Sequence, residues 1–371
     1  MIYLDYAATT PMHPQVIRDM TAAMAVYGNP SSIHQAGRAA RKLVDDARRT
    51  LAQTIGAKEN EIIFTSGGTE ADNTAIFGVA YANQHKGKHI ITSQIEHHAV
   101  LHACEQLERE GFSITYLPVD STGCVRVQDV KEALHDDTIL VTIMLGNNEV
   151  GTIQPIAEIS ELLQMHQAVM HTDAVQAYGM ISIDVNDLQV DYLSVSSHKI
   201  NGPKGIGFLY QRTNAPLQPL LYGGQQERKR RATTENVPAI VGFATASTLT
   251  SDRDVYERYK QQMQKTWQDA QLSFTINGAH TLPHILNVSF TGVNIEALLV
   301  NLDMAGICAS SGSACTAGAV DPSHVLVAMY GADSDKLHNS VRFSFGYGLT
   351  AAQVQEAAVT IANVVQRLVN L

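Results

Sequence analysis

The sequence predicts an α/β protein: a mostly parallel sheet with helices on both faces, followed in the chain by a smaller α+β unit. Three observations predict it. From about Glu61 short β-branched runs alternate with longer amphipathic ones, the strand ends are polar and distinctive, and the texture changes near Ser251. Strand and helix in strict alternation are the pattern of a parallel sheet covered on both faces.

Taken in order, "EIIFTS" from Glu61 reads as a strand and "TEADNTAIFGVAYANQ" as the helix after it. "KHIITSQ" precedes the helix "HAVLHACEQLEREG", "SITYLPV" precedes "VQDVKEALHD", and "TILVTIML" precedes "IAEISELLQMH". "AVMHTDAV" is a further short strand. After Ser251, "RDVYERYKQQMQKTWQDAQ" has the length and spacing of a long helix. The strand "HILNVSF", the helix "NIEALLVNLDMAG", the strand "SVRFSFG" and the helix "TAAQVQEAAVTIANVVQRLVNL" follow. No internal repeat or low-complexity linker separates the two units, so close packing is expected.

Bulk properties narrow the function classes. A chain of 371 residues is long for a single core. Its hydrophobic fraction of 45% and charged fraction of 17% are those of an ordinary globular protein. A formal net charge of -10 argues against direct nucleic-acid binding. The basic run "ERKRRATTEN" at Glu227 to Asn236 breaks that trend and reads, on composition, as a solvated loop. "MIYLDYAATTPMHP" lacks a signal-peptide pattern, and no apolar run is long enough to span a bilayer. Cys104, Cys124, Cys308 and Cys315 show no C-x-x-C spacing, so neither a zinc site nor a disulfide framework is expected, and a cytoplasmic location fits.

Ligands of such sheets sit beyond the carboxyl ends of the strands. There the chain reads "SGGTEADN", "IEHH", "GNNEVG", "TDAVQ" and "SSHK". Glycines and hydroxyls at the start of a helix suit a phosphate, although a plain helix cap has the same look. Asp173 stands at the mouth of a buried strand, where a carboxylate needs a positive partner. That partner is either a structural cation or the protonated nitrogen of a heterocycle such as pyridoxal phosphate. Lys199 follows a strand among hydroxyls, a histidine and glycines, a setting for Schiff-base chemistry. Lys204, after Pro203, is the lesser candidate. Phosphate anchor, aspartate and lysine in this order point to a pyridoxal phosphate enzyme.

Cys104 falls at helical spacing from Val100 and reads as core. Cys315 lies in "SSGSACTAGAVDPSH", a run of small residues without periodicity. Such a segment is expected to be exposed and mobile, suiting a thiol that must move and react; an incidental loop cysteine is the alternative. His98 and His102 stand at i, i+4, but no glutamate follows His98 as in zinc proteases, so no metal site is expected.

These residues resemble a known family. "YLDYAATTP", "GNPSSIHQAGR", "FTSGGTEADN", "EHHAV", "NNEVG", "DAVQ", "SSHKINGPKGIG" and "SSGSACTAG" together are similar to cysteine desulfurases of the NifS/IscS type. That group belongs to the class-V aminotransferases, among the fold-type-I pyridoxal phosphate enzymes. The resemblance implies a seven-stranded sheet in a large cofactor domain over residues 16–250. A smaller domain from 1–15 and 251–371 would carry the cysteine loop.

Carried over by motif, it implies that Lys199 bonds pyridoxal 5'-phosphate, that Asp173 meets the pyridine nitrogen and that His97 stacks on the ring. Gln176 would reach the phenolic oxygen. Gly68, Thr69, Ser196 and His198 would hold the phosphate, with Thr234 arriving from the partner of a homodimer. Arg342 would pair with the substrate carboxylate, assisted by Asn29, and Asn148 would lie beside cofactor and substrate. L-Cysteine would yield L-alanine, with Lys199 moving the Cα proton and Cys315 taking the sulfur as a persulfide. An iron–sulfur scaffold or a tRNA-thiolating enzyme would receive it.

Two departures stand out. Where the family has Arg-Ser/Ala-Gly-Thr, this chain reads Arg231-Ala232-Thr233-Thr234, and Gln225 and Lys229 replace usual glycines nearby. The β-branched Thr233 suits positive φ poorly, so another loop path is expected, with Lys229, Arg230 or Arg231 bringing charge to the phosphate. The chain also ends soon after its last helix, without the C-terminal extension that in longer relatives helps contact the scaffold. Other readings are an aminotransferase or selenocysteine lyase on the same fold, or a non-catalytic sulfur relay. Cys315 argues against the aminotransferase; Lys199, Asp173 and Arg342 argue against the relay.

Overall fold

The structure is a computed structural model that describes residues 1–249, 253–312 and 322–370. The chain opens with β1 (Ile2–Tyr3), α1 (Pro14–Met24) and α2 (Gln35–Gln53). The alternating region holds β2 (Ile62–Thr65), α3 (Gly68–Asn83), β3 (His89–Ser93), α4 (His98–Arg109) and β4 (Ser113–Leu117). It continues through α5 (Val127–Ala133), β5 (Thr138–Thr142), α6 (Ile156–Leu163), β6 (Val169–Asp173), α7 (Val185–Leu188), β7 (Tyr192–Ser196) and β8 (Gly207–Gln211). Then come α8 (Val237–Thr248), α9 (Arg253–Asp269), β9 (Phe274–Asn277) and β10 (Ile285–Phe290). The last elements are α10 (Ile295–Met304), β11 (Ile307–Cys308), α11 (His324–Tyr330), β12 (Ser340–Ser344) and α12 (Ala351–Val369).

The expected sheet is present. Seven strands run in the order β2-β8-β7-β6-β5-β3-β4. All neighbours are parallel except β8, which runs against both β2 and β7. β2, β3, β5, β7 and β8 are buried along their whole length, which is why they read as continuous apolar runs without alternation. On one side Ile76, Val79 and Val100 pack against Ile63, Ile90 and Leu140; on the other, Val44, Leu51 and Phe243 pack against Ile62, Ile91 and Val141.

A second sheet, β12-β10-β9, is antiparallel and packs on α9, α10 and α12. Trp267 of α9 is fully buried there, its ring against Phe274, Phe290 and Phe343, its Nε1 donating to the Ala358 carbonyl at 3.1 Å. Ile2 and Leu4 join this C-terminal core, and β1 pairs with β11, so the first residues return to the last third of the chain. Among the described residues no helix is long and apolar enough to cross a membrane.

Candidate active site

A cavity of about 400 Å³ opens where the strand ends of the large sheet meet the C-terminal unit. Gly68, Thr69, His97, Asn148, Asp173, Gln176, Ser196, His198, Lys199 and Arg342, all expected from the sequence, line it. Two other expected residues do not. Asn29 is exposed, its Oδ1 accepting from Ser31 N, and Thr234 is exposed on the 223–236 loop. Cys315 lies outside the described residues.

The phosphate cradle is a helix start. Gly67 caps α3 without a side-chain hydrogen bond, leaving the first N–H groups of the helix for a ligand. Gly68 is required by space: a Cβ there would stand 2.7 Å from Val175 Cγ2. Ser196, at the end of β7, faces the same point, 3.7 Å from that Cβ position.

Lys199 sits in the short turn after β7 and donates from Nζ to the carbonyls of Ala7 and Ala8, at 2.5 and 3.0 Å. Burial, with Arg342 second, lowers its amine from 10.5 to about 8. Lys204, by contrast, is exposed. The carboxyl of Asp173 closes β6 and accepts from Val175 N at 2.8 Å. Burial raises it to about 6, opposed by that N–H and by Lys199.

His97 caps α4, accepting from Ala99 N at 3.1 Å, and burial plus Lys199 lower it to about 4, so its imidazole is neutral at pH 7. His198 is lowered to about 4 for the same two reasons. Gln176 Nε2 donates to the Ala7 carbonyl at 2.9 Å. Arg342 of β12 donates to Asn148 O at 2.8 Å and to Asp5 Oδ1 at 2.9 Å, while its buried Nε has no partner among the described residues.

Sequence reasoning missed several neighbours. Asp72 lines the cavity, 1% exposed; among the described residues its Oδ1 has no hydrogen bond and stands 3.6 Å from His171 Nε2. Burial, with Asp173 next, pushes its carboxyl well up. Its signal was an acid one turn into a buried helix. Asp5, Ala7 and Ala8 come from "YLDYAATTP", a motif whose spacing says nothing of where it folds.

The basic run serves chiefly to hold its own loop. Arg231 grips Glu70 with two hydrogen bonds, at 2.7 and 3.0 Å. Arg230 donates to Gln211 Oε1 and the Glu227 carbonyl, and Glu227 is buried against Arg48. Thr233 is not in the left-handed region; Arg228 (φ 55°) and Lys229 (φ 67°) are. The loop thus makes its turn earlier than the Thr233 substitution implied. The His98 and His102 rings lie 5.1 Å apart, and His98 also faces His324 at 4.8 Å. Cys104 is buried and its thiol raised by that burial, as a core cysteine should be; Cys308 is half-buried.

A desolvated amine, a buried carboxylate, a neutral imidazole and an open helix start around one cavity fit a cofactor with an aldehyde, a cationic ring nitrogen and a phosphate. The sequence matches the family described as Aminotransferase class-V over residues 2–356. The chain belongs to that family, in its NifS/IscS-type desulfurase group. It is 60% identical to the putative cysteine desulfurase IscS 1 of Bacillus subtilis (strain 168) over 375 residues, covering 99% of both. A solved NifS-like protein superposes with a TM-score of 0.91 at 34% identity, over 99% of this chain and 100% of that one. SspA, solved in complex with cysteine, superposes with a TM-score of 0.84 at 38% identity, over 93% and 99% of the chains. For this class-V chain, the strand-end residues are therefore the ones to interpret chemically.

Proposed function

We propose that the protein is a pyridoxal phosphate-dependent cysteine desulfurase that converts L-cysteine to L-alanine and leaves the sulfur on Cys315. The observation that carries this reading is Lys199, its amine lowered to about 8, facing Asp173 and Arg342 across one cavity. Bound pyridoxal phosphate would supply the electron sink that lets the substrate Cα proton leave. The α3 start with Gly68, Thr69, Ser196 and His198 would hold its phosphate, Asp173 its ring nitrogen, His97 its face and Gln176 its phenolic oxygen.

The chain's own groups then do the rest. Arg342 binds the substrate carboxylate, with Asn148 beside it. Lys199 Nζ, near neutrality in its titration, takes the Cα proton and returns it. The Cys315 thiolate attacks the substrate sulfur: an S–S bond forms, the C–S bond breaks, and the electron pair left on Cβ takes up a proton. Alanine and a Cys315 persulfide account for every atom.

We further propose a large domain over residues 16–250 and a small one from 1–15 and 251–371, since Ile2 and Leu4 pack with Trp267 while Val16 packs with the large sheet. Thr234, exposed and away from its own cavity, would serve the site of a second copy in a homodimer; that exposure supports the reading. Asn29, exposed in the separate stretch between α1 and α2, would assist Arg342 with the substrate only in that assembly. Cytoplasmic sulfur delivery to an iron–sulfur scaffold or a tRNA-thiolating enzyme completes the reading.

The test is to incubate the pure holo-protein with L-cysteine and measure alanine and protein persulfide together. Cys315→Ser is expected to keep the cofactor and its colour yet stop sulfur release, because a hydroxyl cannot carry the sulfur. Ordinary sulfide production by that variant would remove Cys315 from the scheme.

A further inference from the structure

At the other end of the large sheet, where β3 and β5 begin, lies a second cluster of titratable side chains. His89, His135 and Asp137 each bring one donor atom there, and the three atoms lie within 4.8 Å of one another. His89 is 1% exposed, whereas the side chains of His135 and Asp137 are more than half exposed. The His89 and His135 rings stack at 4.5 Å, and His135 Nδ1 stands 4.0 Å from Asp137 Oδ1.

The backbone holds the three together. His89 pairs with Thr138 and Ile90 with Leu140, so Ile139 is an extra residue where β3 meets β5. Such a bulge interrupts the ladder and re-aims the side chains beside it. The His89 N–H donates to the Asp137 carbonyl at 3.2 Å, and the Thr138 N–H closes a turn onto the His135 carbonyl at 3.0 Å. Across that turn the His135 N–H donates to Thr138 Oγ1 at 2.9 Å.

The side chains divide into one that is fixed and two that are free. His89 is held at both ring nitrogens, with Nδ1 2.7 Å from Thr138 Oγ1 and Nε2 2.9 Å from Thr115 Oγ1. Burial, followed by the neighbouring His135, lowers its pKa against the pull of Asp137, so the neutral ring keeps an electron pair. Neither the His135 ring nor the Asp137 carboxylate has a hydrogen bond among the described residues; their closest approach is to each other.

We propose that His89, His135 and Asp137 form a site for a divalent transition-metal cation of the zinc type, which clasps the starts of β3 and β5. Two imidazoles and a carboxylate are a zinc donor set and leave a fourth position for water. Zinc takes its donors at about 2.0–2.2 Å, so the two exposed side chains swing onto the fixed His89. Whichever His89 nitrogen takes the metal, the other keeps its threonine, the kind of outer partner that orients a metal-bound histidine. None of the three residues lines the strand-end cavity, and the site does not depend on the desulfurase reading.

The experiment uses the full-length protein carrying Cys315→Ser, so that this thiol takes no zinc. His135→Ala and Asp137→Asn are made in that background, with His102→Ala as a control for the i, i+4 histidine pair. Zinc is titrated against a chromophoric chelator, and thermal midpoints are recorded with zinc or magnesium. The parent should bind one zinc per chain more than His135→Ala. With zinc about a hundred-fold above Kd its midpoint should rise by about 3 °C or more, and that of His135→Ala should not. Asp137→Asn should weaken the site at least about ten-fold, since an amide oxygen brings no charge. His102→Ala should match the parent, and magnesium, which prefers an all-oxygen shell, should move no midpoint.

The altered residues are exposed, so the test does not hang on a core substitution that fails to fold. Equal zinc binding and equal midpoint shifts in the parent and His135→Ala would overturn the proposal, leaving a stacked histidine pair without a ligand. Loss of the bound zinc in His102→Ala, with His135→Ala unaffected, would overturn it as well.

Discussion

Arg342 and Asp5 form an ion pair at the cavity, with Nη2 of the arginine 2.9 Å from Oδ1 of the aspartate. The guanidinium that should receive a substrate carboxylate is thus already beside an anion, while among the described residues its Nε has no hydrogen-bond partner. Asp5→Asn keeps an acceptor oxygen and removes the competing charge. We expect L-alanine, an unreactive probe, to bind the holo-protein several-fold more tightly, on the order of 1 kcal/mol. Titrating the cofactor's absorbance with L-alanine checks this. Weaker binding would mean that Asp5 orients the guanidinium more than it competes.

Lys199 gives a pH prediction. A Schiff base forms through the neutral amine, and burial brings this amine to about 8. Capture of pyridoxal phosphate by the apo-protein should therefore speed up with rising pH and level off just above 8. Borohydride reduction and peptide mapping should then find the cofactor on Lys199. A profile still climbing toward 10.5, or a label on Lys204, would point to an ordinary exposed amine.

Asp173 should trade stability for cofactor binding. Its folded-state pKa, about 6, lies above the ordinary aspartate value of 3.8, so between those values the native apo-protein holds more protons than the unfolded chain. The stability this group contributes is present at low pH and is lost as pH rises through 6. Asp173→Asn has no such loss. The apo-variant should be more stable than wild-type apo-protein above pH 6, by on the order of 2 kcal/mol, with the difference shrinking toward pH 4. Its affinity for pyridoxal phosphate should fall at least about ten-fold, because the anion facing the ring nitrogen is gone. Denaturant midpoints across pH, with and without cofactor, test both halves. A variant that gains nothing above pH 6 would show that Lys199 already neutralises Asp173 in the apo-protein.

How far the sequence could be read depended on where its signals were local. Asp173 ends a strand and Lys199, Gln176 and His97 follow one, and the parallel-sheet rule brings them to one cavity. Helix α2 is strongly amphipathic, with Ala40, Val44, Ala47 and Leu51 on its buried face and charged residues opposite, so its period is legible. α8 is apolar on nearly every side, with Val237, Ile240 and Phe243 buried, so it has little helical period to detect. Asp5 was illegible for another reason. Its partner Arg342 lies 337 residues away, and only the return of β1 to β11 brings them together.

The loop from Gly223 to Asn236 carries the last prediction. Its family pattern has glycine before the threonine, and Thr233 stands there instead; yet the left-handed residues are Arg228 and Lys229. Lys229 itself replaces a usual glycine and adopts the conformation glycine would prefer, exposed to solvent with φ 67°. Thr233 is at ease by comparison, with N–H to Gln226 Oε1 and hydroxyl to the Thr234 carbonyl. Lys229→Gly should therefore relieve strain, raising stability by up to about 1 kcal/mol against the extra chain entropy of glycine. Thr233→Gly should lower stability by a similar amount, since it adds that entropy and relieves nothing. Neither change should tighten pyridoxal phosphate binding, because Arg231, held beside the first turn of α3, is spent on Glu70. Urea midpoints of the two variants, with a cofactor titration of each apo-protein, measure these effects. Tighter binding in Thr233→Gly would show that glycine at that place serves the ligand and not the turn, and that this chain tolerates the threonine at the ligand's expense.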